Sequence, residues 1–220
     1  MRKVSGFSLM EMLAALALLA LLLLGVFASL DTIARSTHSS LAATERLDQM
    51  RAAQNYLRKT LSGALAYPWA LGKDKQAVVF RGDGQAVTFV SPGPGYLANE
   101  GLQLQTLSFV GEPGDRRLVI GFAPLPTRSG ARVVPTSPET LLEHIASGRI
   151  VYVGSDEHGR LLPWQASWSD ERRLPTMVGI ELTLRRGLRW PTFVVPLRMD
   201  PGAVNDREAY VRLAAAGATP

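Results

Sequence analysis

The residue with the most chemistry to explain is Glu11. Its carboxylate stands at the mouth of an apolar run, Met12 to Leu30, that contains no charged residue. An acid held there costs about 1–3 kcal/mol, depending on depth. A secretory signal peptide has no use for it, and a plain membrane anchor has little. Three readings stand on these residues alone. One is a signal peptide, with Val26-Phe27-Ala28 as its small-residue cleavage site before Ser29. The second is a plain anchor. The third is a segment that needs the acid.

Elsewhere the reactive residue types are scattered. His38, His144 and His158 are far apart and form no His-x-x-x-His pair, which argues against a zinc site. Asp156-Glu157-His158-Gly159 is acidic, but calcium takes six to eight oxygen ligands, and these residues read as a surface turn. No Gly-x-Ser-x-Gly elbow or phosphate-binding Gly-Lys-Ser/Thr loop is present. The absence of cysteine excludes disulfides, thiolate metal sites and cysteine nucleophiles. Nothing marks a nucleophile among the serines, and the expectation is no metal and no cofactor. Arg116-Arg117, Arg172-Arg173 and Arg185-Arg186 have the charge to meet phosphates. No aromatic platform interleaves with them, so nucleic acid is not an expected partner. Trp164, Trp168 and Trp190 are candidate interface residues, because tryptophan is enriched at binding hot spots. Core packing against a sheet is the more ordinary reading of the same three.

These residues need elements to place them. The chain has 220 residues, 24 Lys plus Arg against 19 Asp plus Glu, and a net charge of +5. That fits one globular domain with an appendage. The run from Met12 to Leu30 spans about 28 Å as a helix, close to the hydrocarbon thickness of a bilayer. Arg2 and Lys3 favour a cytoplasmic N-terminus, which puts the rest of the chain across the membrane. Beyond it Leu47, Met50, Leu57, Leu61 and Leu65 recur at helical spacing and predict one apolar face. A single helix from Phe7 to Leu65, about 90 Å long, is expected to end before Pro68. Ser-Thr-His-Ser-Ser at 36–40 is a weak helix former and a candidate break.

After Pro68 short apolar runs alternate with turns. Ala77–Phe80 and Ala86–Val90 flank Arg81–Gln85 as a first hairpin, and Leu102–Val110 and Arg117–Phe122 flank Gly111–Asp115 as a second. Ser91–Gly101 and Pro124–Pro138 read as loops, and Leu141–Ile145 as a short helix or strand. Val178–Arg185 alternates with period two, its Val178, Ile180, Leu182 and Leu184 facing one way. Arg185-Arg186-Gly187 turns it into Leu188–Leu197, an edge strand because of Pro191 and Pro196. The fold class is α+β, one long helix packed on an antiparallel sheet.

Gly6-Phe7-Ser8-Leu9-Met10-Glu11, after Arg2-Lys3 and before the apolar run, resembles the processing motif of type IV prepilins and type II secretion pseudopilins. The resemblance implies cleavage between Gly6 and Phe7 by a prepilin peptidase and N-methylation of Phe7. The helix is then retained, and Glu11, which matches the family's usual glutamate, serves assembly by pairing with the new amine. In the head, Leu141-Leu142-Glu143-His144-Ile145, Ile150-Val151-Tyr152-Val153, Trp164, Trp168 and Leu174-Pro175 follow in an order that resembles the J-type minor pseudopilins of type II secretion. That family implies a leader at 1–6, a membrane and filament-core helix at 7–30, an amphipathic helix at 31–67 and a β-rich periplasmic head at 68–200. The tail at 201–220 is unassigned. The implied partners are the I-, K- and H-type pseudopilins, the prepilin peptidase and inner-membrane lipid. The implied role is in a pseudopilus tip that starts assembly for export of folded proteins. A minor pilin of a type IV pilus is the alternative.

Overall fold

The structure, a computed structural model, describes residues 9–72, 75–95, 101–125, 137–156, 158–185, 190–197, 210–211 and 213–214. Helix α1 runs Leu9–Ser62 without interruption. The serine-rich stretch at 36–40 therefore does not break it. Propensity deficits there are tenths of a kcal/mol per residue, and long Leu- and Ala-rich flanks carry a cooperative helix through them. Two compact units divide the chain, Met1–Asp48 and Gln49–Pro220. In the first, Leu9–Val26 is long and apolar enough to cross a membrane, and none of it is buried.

In the second unit Met50, Ala53, Leu57 and Leu61 are buried at three- and four-residue spacing and join one core with the sheet. Leu47 and Leu65, expected on the same face, are 43% and 38% exposed. Ala53 in the helix and Ala64 just past its end are buried instead. Leu65 also lies past the helix end, which comes earlier than Pro68. Gly63 N–H bonds to Lys59 O at 3.1 Å, and Leu65 N–H already donates to Val90 O at 2.9 Å, an extended pairing.

Strands β1 (Ala70–Leu71) and β2 (Ala77–Val78) pair with each other. The main sheet holds β3 (Phe80–Gly82), β4 (Ala86–Pro92), β5 (Leu102–Val110), β6 (Arg116–Pro124), β7 (Glu139–Val153), β8 (Met177–Leu184) and β9 (Phe193–Pro196). They are antiparallel and adjacent in chain order. The first hairpin differs from expectation. Ala77 and Val78 belong to the β1–β2 ribbon, and Arg81 and Gly82 lie in a strand. Asp83 shortens the turn, its Oδ1 accepting the N–H groups of Gln85 at 2.7 Å and Ala86 at 2.9 Å. The second hairpin and the β8 alternation match the expectation, and β9 is an edge.

Leu141–Ile145 is neither a helix nor a separate strand but the first part of β7. His144 adopts φ +57° inside it, and the pairing register shifts on both sides. Those irregularities break the alternation that would have marked one long strand. Strand β6 pairs with β7 only as far as Ile145. The second half of β7 bonds elsewhere. Ile150 N–H donates to Gly84 O at 3.0 Å, and Tyr152 exchanges both backbone bonds with Gln165 at 2.9 and 2.8 Å. Trp168 N–H then donates to Gly82 O at 2.9 Å, and Val79 and Phe80 donate to Glu171 O at 2.8 and 3.2 Å. Residues 161–171 thus form a seam between β7 and β3, and the sheet curls around its core. Residues 96–100, 126–136 and 186–189, and the hairpin tip and loops assigned to them, lie outside the described residues. In the tail, Leu213 is buried, and the Lys75 Nζ stands 5.7 Å over the Tyr210 ring.

Candidate functional site

Gly6 and Phe7 lie outside the described residues. Glu11 sits in the first turn of α1 and is exposed.

The structure separates the three tryptophans. Trp190 follows the core-packing reading of the three. It is 8% exposed, packs on Phe193 at 5.9 Å and belongs to the core. Arg58 of α1 covers the other ring of that pair, at 5.4 Å over Phe193, so this corner is consumed by helix–sheet packing. Trp168 is partly buried, and its Nε1 donates to Arg173 O at 2.8 Å. Its ring takes the space beside Gly154, where a β-carbon would lie 2.9 Å from Cη2. Trp164 is 48% exposed. Its ring rests against Gly179 of β8, where a β-carbon would lie 3.0 Å from Cζ3. Gly179 alternates with the inward Val178 and Ile180, so Trp164 covers the outward face of the sheet.

Sequence reasoning missed the residues that hold this arrangement. Gly82 admits the Tyr152 ring, because a β-carbon there would overlap it. Tyr152 is fully buried, and its hydroxyl donates to Asp83 O at 2.8 Å, with Ala86 O at 3.3 Å. Burial pushes the phenol well above its ordinary pKa, with the Asp83 charge adding to the effect. Gly148 likewise leaves room for the Phe109 ring. The glycines were visible in the sequence, but their aromatic partners sit on other strands, and no spacing links them.

The charged residues largely answer one another. Arg149 meets Glu181 at 2.6 Å, Arg160 meets Asp156 at 2.8 Å, and Arg81 meets Glu171 at 2.6 Å. Arg173 lies 3.8 Å from Asp170. Asp115 receives both His144, at 3.2 Å, and Arg185, at 3.3 Å. The His144 bond and then the Arg185 charge hold its carboxyl below the usual range. Asp156 is lowered chiefly by the Arg160 N–H, with the Arg160 side chain and the His158 N–H adding to it. Arg116 bonds to Gln85 Oε1 at 2.6 Å. Among the described residues, no three His, Asp or Glu side chains gather where they could hold a metal ion.

Comparison with known proteins agrees with the motif and with the head. The model of the prokaryotic N-terminal methylation motif matches residues 1–27. The model of type II secretion system protein J matches residues 28–195. The type II secretion system protein J of Xanthomonas campestris pv. campestris is 32% identical over 207 residues, covering 91% of this chain and 96% of that protein. Among solved structures, a chain of the GspK-GspI-GspJ complex from the enterotoxigenic Escherichia coli type 2 secretion system is similar at 20% identity and a TM-score of 0.48. That similarity covers 70% of this chain and 99% of that one.

Proposed function

The chain belongs to the type II secretion system protein J family, and on that premise we propose that it is a minor pseudopilin working by assembly rather than catalysis. The prepilin peptidase cuts between Gly6 and Phe7 and methylates Phe7. The apolar helix stays in the inner membrane and later in the filament core, and the β-rich head lies in the periplasm. There it joins the I- and K-type subunits in a pseudopilus tip, which connects through the H-type subunit to the filament that exports folded proteins. Trp164 and Trp168 are the tryptophans left for subunit contacts.

One observation carries the reading. A methylation motif over residues 1–27 runs directly into a protein J match over 28–195. The apolar stretch Leu9–Val26 supplies the helix that such processing retains. A charge pair between the Phe7 amine and Glu11 is satisfied only in the correct stagger, so it sets register as a lone buried polar group does in coiled coils. The test is the mass of the mature N-terminus, with and without active prepilin peptidase. A product starting at N-methylated Phe7 is expected. A product starting at Ser29, or an uncut Met1, overturns the proposal.

A further inference from the structure

We propose that Leu161, Leu162 and Trp164 form the docking patch of the head, and that its occupant is an uncharged apolar surface on a partner pseudopilin. This rests on the assembly reading above and narrows it to one place. The three residues are 56%, 41% and 48% exposed. They fall within four positions of one another, with Pro163 between. Single exposed apolar residues are ordinary, but three within one four-residue segment, with Leu162 set beside Gly154 and Trp164 beside Gly179, point to an interaction surface.

The patch is also rigid. Leu162 N–H donates to Gly154 O at 2.9 Å, and Gln165 is paired both ways with Tyr152. The Trp164 ring rests where Gly179 lacks a side chain, and Val151 Cγ2 crowds the same spot. A tryptophan held in one pose while half exposed has already given up the freedom that binding would cost it.

Charge selects the occupant. Arg149 and Glu181 face each other across β7 and β8, two residues along from Val151 and Gly179, and they close on each other at 2.6 Å. Arg160, next to Leu161, closes on Asp156. An apolar centre rimmed by satisfied ion pairs has the anatomy of a protein–protein interface. The arginines beside it already have acidic partners and do not wait for phosphates, so an anionic lipid surface or nucleic acid is a poorer match.

The chain has no cysteine, so Leu161→Cys gives a single reporter in the full-length protein. In cells with a permeabilised outer membrane, a membrane-impermeant maleimide should label it when the chain is produced alone. Co-production of the I- and K-type subunits should cut labelling about tenfold, while Val110→Cys, at the end of β5, stays labelled. Trp164→Ala should weaken co-purification of those subunits by roughly thirtyfold, the scale of a hot-spot tryptophan. If it disturbs the fold, Leu161→Glu replaces it, leaving Trp164 on Gly179. A complex that forms while Leu161→Cys remains fully labelled overturns the patch and leaves the assembly reading standing. Protection by excess copies of the chain alone, or in cells lacking the partners, overturns the stated occupant in favour of self-association or lipid. Failure of the subunits to associate at all overturns the assembly reading, and the patch with it.

Discussion

Tyr152 buries a hydroxyl where the turn after β3 approaches β7, and its bond to Asp83 O is the reason that hydroxyl can be there. Tyr152→Phe keeps the ring beside Gly82 but leaves a carbonyl short of a donor. The expected cost is about 1–3 kcal/mol, read by denaturing the full chain in micelles and following tryptophan fluorescence. All four tryptophans lie in the Gln49–Pro220 unit, so the signal reports the head. The phenol's pKa is raised on folding. Its contribution is therefore complete below the unfolded value of about 10 and is lost as pH rises toward the folded one. Wild type should lose stability above about pH 10 more steeply than the Phe variant. Asp115 acts in the opposite direction. Its pKa is lowered, so its contribution is present above about pH 4 and lost as pH falls through the folded value. The group is exposed, so Asp115→Asn should have a small effect that salt suppresses.

At the scale of elements, α1 serves two environments with one continuous helix. Its buried positions in the head are narrow, and this gives a sharp contrast between two leucines. Leu57→Ala removes a side chain 1% exposed in the core and should cost about 2–5 kcal/mol. Leu47→Ala should stay within about 0.5 kcal/mol. Equal losses in the same fluorescence experiment would contradict the packing described for the helix. The contrast also shows what the sequence could reveal. The leucine stripe announced an amphipathic face, but alanine reads as neutral, so Ala53 and Ala64 were invisible as core. Hairpins with clean alternation, β5–β6 and β8, were legible because pattern and turn chemistry agree locally. Strand β7 was not, because His144 and three register shifts interrupt its period. The seam at 161–171 was illegible for a different reason. Its bonds join residues far apart in sequence, such as Gly82 to Trp168, and no periodicity records them.

At the scale of the whole molecule, processing and docking are encoded differently. The N-terminal methylation motif is a linear string, so it was legible without a fold, and the proposed cleavage site within it is the Gly6–Phe7 bond alone. The docking patch exists only after β7, β8 and the seam are assembled, so the sequence offered three tryptophans with nothing to rank them. Glu11 tests how the two ends cooperate. If its role is to pair with the Phe7 amine, Glu11→Gln should be cleaved after Gly6 and methylated normally, because the peptidase site is intact. The head should be as stable as wild type, since Glu11 lies in the other compact unit. Co-purification with the I- and K-type subunits from membranes should nevertheless fall at least tenfold, because an unpaired amine in an apolar core costs several kcal/mol. The mass of the N-terminus and the yield of complex, measured on one preparation, separate these steps. A Gln variant that is processed and assembles like wild type would instead make Glu11 an interfacial acid reaching the headgroups, and would move the register-setting role elsewhere along the helix.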